Sequence, residues 1–274
     1  MISPKLCIHP GLPKTGTTSL QKNIFPYFPR AEIAYLGRGM PNERQVIRIR
    51  KFFQQTGGEL RVQRMADRKK HVVVSDENMS MSPANPWSVH AVTLPESVAV
   101  NTARLAEKLG GLSPAFLITI RRQDTWLASR YAESAKIMHG VNQKDFERRL
   151  RKILSDTASA PGLSWLRYNS LCEVFASIRQ AETLVVPLEG YQEDRSSYAE
   201  KICAFLDVET VVGSSADGHE NKLSMGDSKW QTKGHQECIE LREDLSKLIL
   251  NRFRSENEQL SEKLDIDLSQ WGYF

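Results

Sequence analysis

The chain has 274 residues, 40% apolar and 26% charged, with 37 basic against 33 acidic side chains and a net charge of +4. That length suits one large α/β domain or two small ones and is ample for a continuous core. The charge excess is too mild to argue for a nucleic-acid partner. No apolar run approaches the roughly 18 residues of a membrane span. Cys7, Cys172, Cys203 and Cys238 form no C-x-x-C pair and no zinc-like spacing with His, so they read as free thiols of a reducing compartment. Pro10 and Gly11 interrupt any N-terminal signal core. A cytoplasmic protein without a membrane span is expected.

The first apolar run, Lys5 to Pro10, predicts a buried strand ended by Pro and Gly, and Thr17 to Phe25 predicts a helix stopping near Pro26. Strand, Gly-bearing turn and helix open an α/β unit. A short strand over 32–36 and a helix over 42–56 follow, the latter from Val46, Ile49, Phe52 and Phe53 at helical spacing. His71 to Ser75 is a β-branched, continuous strand. After a Pro-rich loop come a helix over about 96–109 and a strand over 115–120 that runs into Arg121 and Arg122. The next helix spans 125–138 with Asp124 as its N-cap. Helices over 143–155 and 169–180, a strand over 183–187 and a helix over 195–206 continue the alternation. Residues 208–234 read as a long loop, and a last helix starts near Gln236 with Leu241, Leu245, Leu248 and Ile249 on one side. The pattern predicts an α/β fold: a single domain over 1–274 with a mostly parallel central sheet flanked by helices and a P-loop-like nucleotide-binding core.

The main chemical signal is Gly11-Leu-Pro13-Lys14-Thr15-Gly16-Thr17-Thr18-Ser19. Two glycines let backbone N–H groups approach a ligand, and the following helix offers unpaired N–H groups and a positive dipole end. Lys14 adds a positive charge, and the hydroxyls add donors. The segment departs from the nucleotide-binding pattern G-x-x-x-x-G-K-[ST], because Thr17 stands where the lysine belongs and Lys14 has moved into the loop. That shift argues against an ordinary magnesium-dependent NTPase.

The stretch from His9 to Gln21 resembles the first motif of the sulfotransferases that use 3′-phosphoadenosine 5′-phosphosulfate (PAPS), in their bacterial and carbohydrate-type branch. In that family the motif grips the 5′-phosphosulfate. A second motif, a strand followed by Arg and then Ser eight residues on, grips the 3′-phosphate, and Arg121, Ser129 and Tyr131 match it. Family members usually carry Asp-Pro after this Arg; here Arg122 and Gln123 follow, leaving two arginines as candidates. The strong resemblance covers about residues 5–25 and 115–131, with weaker likeness over 184–207 and 251–271.

The resemblance implies sulfuryl transfer from PAPS to a hydroxyl on a small-molecule or glycan acceptor, leaving 3′-phosphoadenosine 5′-phosphate (PAP), with no metal expected. Pro13 to Ser19, Arg121 and Ser129 would bind the nucleotide, Lys14 would stabilise the leaving phosphate, and Lys222 or Lys233 of the late loop would close over the 3′-phosphate. Glu77, just past the 71–75 strand, is the candidate base, with Asp76 as close rival and His9, His71, His90 and His139 behind. Ser75 is a possible donor to the nucleotide. A P-loop kinase-like phosphotransferase and a non-catalytic nucleotide-binding relative are the other readings.

Overall fold

The computed structural model describes residues 3–37, 40, 43–54, 71–80, 93–155, 161–209 and 228–274. The chain divides into two compact units. The first comprises Met1–Ser80, Thr93–Ile120 and Cys172–Gly218; the second comprises Met81–Val92, Arg121–Leu171 and His219–Phe274.

The first unit is an α/β layer structure. Its sheet has five parallel strands, β1 (Lys5–His9), β2 (Ile33–Gly37), β3 (His71–Ser75), β4 (Ser113–Ile120) and β5 (Glu182–Pro187), in the order β2-β3-β1-β4-β5. The central strands are buried on both faces, which is why they read as continuous apolar runs rather than alternating ones. On one face, Cys7, Val73, Leu117 and Val186 pack with Leu20 and Ile24 of α1 (Thr17–Asn23, with Ile24 its C-cap) and with Tyr198 and Ile202 of a later helix (Arg195–Phe205). On the other, Phe116 stacks on Phe175 with ring centroids 4.1 Å apart.

Helix α2 (Glu43–Gln54) packs on α3 (Pro95–Lys108) and on β2. Pro95 occupies the first turn of α3, where its missing N–H costs nothing, and Gly110 and Gly111 end the helix at positive φ. Lys5, almost fully buried, donates to Phe205 O at 2.7 Å and pairs with Glu182 and Asp207, each at 3.0 Å.

Past Ile120 the second unit carries α4 (Gln123–Ser134), α5 (Gln143–Ser155) and the start of α6 (Tyr168–Ala176). After α7 (Leu188–Glu193) and α8 (Arg195–Phe205) of the first unit, the second unit resumes with a hairpin of β6 (Lys229–Gln231) and β7 (Cys238–Glu240), then the long α9 (Glu243–Leu264). Helix α4 packs on α9 through a buried reciprocal amide pair. Gln123 Nε2 donates to Asn257 Oδ1 at 2.8 Å, and Asn257 Nδ2 donates back at 3.1 Å and to Tyr273 O at 3.0 Å. Cys7, Cys172 and Cys203 are buried, Cys238 is exposed on the hairpin, and none forms a disulfide.

Three sequence expectations need correction. Residues 229–231 are a strand, not part of an open loop, and the last helix begins at Glu243, not near Gln236, because 238–240 pair with 229–231. Asp124 is not the N-cap of α4. Arg122 holds that position, and the Asp124 carboxylate accepts the Thr125 N–H at 2.7 Å from within the first turn. No helix among the described residues is long and apolar enough to cross a membrane.

Candidate nucleotide-binding site

In an open parallel sheet, ligands gather beyond the carboxyl ends of the strands, at the point where connections leave in opposite directions. Here the connection from β1 runs toward the β2 side and that from β4 toward β5, so the switch lies between β1 and β4. The loop 10–16 leaves β1 at that end and leads into α1.

The loop's conformation is costly and well supported. Gly11 and Gly16 have φ of 53° and 85°, and Lys14 lies between them in the left-handed region at φ 70°. A non-glycine residue held there stores backbone strain, which marks functional loops when the surroundings enforce it. The surroundings do so by capturing the loop's carbonyls. Leu12 O accepts from the Thr15 N–H at 3.3 Å, from Thr15 Oγ1 at 2.6 Å and from Thr17 Oγ1 at 3.3 Å. Gly11 O accepts from Ser80 Oγ at 2.7 Å. Carbonyls turned inward in this way keep negative partial charge away from the loop's outer face, a prerequisite for receiving an anion.

The hydroxyls of the segment therefore split into two groups. Thr15 and Thr17 are buried and serve the loop itself. Thr18 and Ser19, half-buried in the first turn of α1, have hydroxyls with no protein partner among the described residues. Lys14 is half-buried, and Pro13 is buried beside it. Gly16 suits this position because of its φ of 85°; a Cβ there would also displace the end of the Leu188 side chain, 2.6 Å away.

Glu77 sits against this loop. A Cβ on Gly11 would lie 3.0 Å from the Cα of Glu77, and Ser80 Oγ, which donates its hydrogen to Gly11 O, lies 3.2 Å from Glu77 O. Glu77 is half-buried at the start of a 3-10 turn, Glu77–Met79. Its rival Asp76 is buried and caps that turn: its side chain accepts the Asn78 N–H at 2.9 Å and pairs with Arg50 at 3.2 Å.

Two further sequence candidates turn inward. Ser75 Oγ lies 2.8 Å from His9 Nδ1 and accepts from Gln21 Nε2 at 3.0 Å, so its hydroxyl belongs to the interior. His9 is fully buried, its ring edge-on to Phe25, and burial pulls its pKa down to about 3. His71 Nδ1 accepts the Lys5 N–H at 3.1 Å, and burial, aided by the Lys5 charge, lowers its pKa. His139 is exposed.

The second motif lies in the second unit. Arg121 follows β4 directly; its Nε donates to Thr125 Oγ1 at 3.1 Å, and its carbonyl accepts from Tyr168 Oη at 2.6 Å. Arg122 is gripped by both Asp124 oxygens, at 3.1 and 2.6 Å, and Asp124 also accepts from Ser246 Oγ at 2.6 Å. The Asp124 carboxylate is thus a charged partner of Arg122. Ser129 is buried in α4, and its hydroxyl has no protein partner among the described residues. Tyr131 is committed to Asp145 at 2.9 Å. Burial alone would raise the Asp145 pKa, but hydrogen bonds from Arg149, Tyr131 and Arg148 hold it below its ordinary value.

Lys233 is paired with Glu133 at 3.1 Å beside the hairpin turn. Lys222 lies outside the described residues, as does His90. Among the described residues no group of three His, Cys, Asp or Glu side chains is placed to hold a metal ion.

No protein-family model and no curated protein matches the sequence. Among solved structures the chain resembles a sulfotransferase from Alicyclobacillus acidocaldarius, with a TM-score of 0.51 and 15% identity over 99% of each chain. The fold is therefore sulfotransferase-like: a five-stranded parallel sheet flanked by helices.

Proposed function

We propose that the protein is a sulfotransferase that moves a sulfuryl group from PAPS to the hydroxyl of a sugar or another small metabolite. The observation that carries this reading is the Lys14 loop, strained into a shape whose Gly11 and Leu12 carbonyls are taken up by Ser80, Thr15 and Thr17 and built directly against the Glu77 turn. The likeness of fold across 99% of the chain supports it and supports treating 1–274 as one sulfotransferase-like domain.

Lys14, Thr18, Ser19 and the backbone N–H groups that follow Lys14 offer a donor set suited to the 5′-phosphosulfate. Thr15, Gly16 and Thr17 act by holding the loop's shape. Arg121 and Ser129 are assigned to the 3′-phosphate from their places in the second motif, with Arg122 engaged by Asp124. Lys222 is assigned to the same phosphate on the family resemblance alone. PAPS, when bound, supplies the sulfuryl group and an anionic leaving phosphate. Lys14 holds its positive charge at the loop apex to bind that phosphate's oxygens. Glu77 takes the proton from the acceptor hydroxyl, and its tether to Gly11 fixes where it stands relative to the loop.

Thermal unfolding in the presence of PAP, and separately of ATP with magnesium, tests the nucleotide. A ligand at 100 times its Kd stabilises a fold by about 2.7 kcal/mol, a clear rise in Tm. The reading expects a rise with PAP that much exceeds the rise with Mg-ATP; a rise with Mg-ATP alone would replace it with a kinase-like phosphotransferase. Lys14→Ala is expected to abolish transfer from PAPS while the folded content by circular dichroism stays intact. Full transfer by that variant would sink the mechanism.

A further inference from the structure

Beneath the phosphate loop, the first unit buries a chain of six polar groups, and their donor count fixes the direction of every bond. Thr15 Oγ1 donates its single hydrogen to Leu12 O, at 2.6 Å. The 2.7 Å contact between Thr15 Oγ1 and Thr119 Oγ1 must then have Thr119 as donor. Thr119 has thereby used its hydrogen, so at the 3.3 Å contact with His9 it accepts, and His9 Nε2 carries the proton. A neutral imidazole protonated at Nε2 presents a bare Nδ1, to which Ser75 Oγ donates at 2.8 Å. Ser75 Oγ in turn accepts from Gln21 Nε2 at 3.0 Å, and the same amide donates to Ser75 O at 3.2 Å.

The result is one unidirectional relay, from Gln21 on α1 through Ser75, His9, Thr119 and Thr15 to the carbonyl of Leu12. It crosses the sheet from β3 through β1 to β4, passing the switch point. Its last hydroxyl belongs to Thr15, the residue flanked by the two left-handed positions Lys14 and Gly16.

We infer that His9, fixed as its neutral Nε2–H tautomer, is a positioning residue that holds the Lys14 loop in its anion-receiving shape through Thr119 and Thr15. Reversing any one bond leaves two donors or two acceptors facing each other in a site without exposure to solvent, so the relay works as a unit. Burial keeps His9 neutral at ordinary pH, as the relay requires. That the anion is a nucleotide rests on the proposed function; the relay itself does not.

The test uses the whole protein with 15N-labelled histidine, His9 being assigned by loss of its signal in His9→Gln. The imidazole spectrum is expected to show Nε2 protonated and Nδ1 bare, with no titration between pH 7 and 5; protonation at Nδ1, or a transition near pH 6.5, would overturn the relay. Thr119→Val keeps the shape and removes the hydroxyl, whereas Thr119→Ser restores it. The valine variant is expected to speed hydrogen exchange of the 15–19 amides and weaken PAP binding about tenfold, equivalent to about 1.4 kcal/mol. The serine variant should match the native protein in both. Unchanged loop exchange in Thr119→Val would also overturn the inference. Failure of the native protein to bind PAP would remove the nucleotide reading, leaving the relay to be decided by the imidazole spectrum and loop exchange.

Discussion

Adjacent carboxylates can be given different tasks by their surroundings, and Asp76 and Glu77 are such a pair. Asp76 caps a turn and pairs with Arg50, so it is part of the scaffold. Glu77 presents its side chain from a half-buried turn tied to Gly11 by Ser80. The two substitutions should therefore separate. Asp76→Asn weakens the Arg50 pair and is expected to lower Tm. On the proposed function, Glu77→Gln is expected to lower kcat by a factor on the order of 100 or more, as loss of a general base does. A Glu77→Gln enzyme with native kcat would return the base to another residue.

At the scale of elements, α4 and α9 are held by a device that surface inspection would miss. Asn257 is fully buried and serves both Gln123 and the carbonyl of Tyr273. Asn257→Ala strands those groups in the interior and is expected to cost about 1–3 kcal/mol in urea unfolding. Arg254→Ala, which removes an exposed pair with Glu258 on the same helix, should leave the midpoint almost unmoved. The strands β1, β3 and β4 were legible in the sequence because doubly buried parallel strands need unbroken apolar runs, whereas the edge strand β5 was legible from the short apolar run Leu184-Val-Val. The hairpin was not, since Lys229-Trp-Gln231 and Cys238-Ile-Glu240 each bury one central side chain and carry no such run. Leu241 misled for the opposite reason: it is buried and in phase with the last helix, yet it precedes Glu243, where the helix begins. The loop around Lys14 could be read from residue types alone. The inward turn of Thr15 and Ser75 could not, because their partners Thr119 and His9 are remote in sequence and meet them only when the sheet forms.

Taken as a whole, the molecule should be sensitive to mild acid. The folded pKa of His9 lies near 3 and its unfolded value is 6.5. Between those limits the unfolded chain binds a proton that the folded chain refuses. Stability is therefore complete above pH 6.5 and falls by about 1.4 kcal/mol per unit as pH drops toward 3. His71, also lowered, adds to the loss in the same direction. Asp145, lowered from 3.8, adds its own loss at still lower pH. Urea unfolding at pH 7 and pH 5 is expected to show this slope, and His9→Gln should flatten it. An equal slope in both proteins would assign the acid sensitivity elsewhere.

The distribution of sulfur has a practical consequence. Burial raises the thiol of Cys7 to about 12, Cys172 and Cys203 are enclosed, and Cys238 stands on the open hairpin. A maleimide dye offered to the folded protein thus has one place to react. Such a label sits on the second unit and leaves the loop, the relay and Glu77 chemically untouched, without engineering a new attachment point.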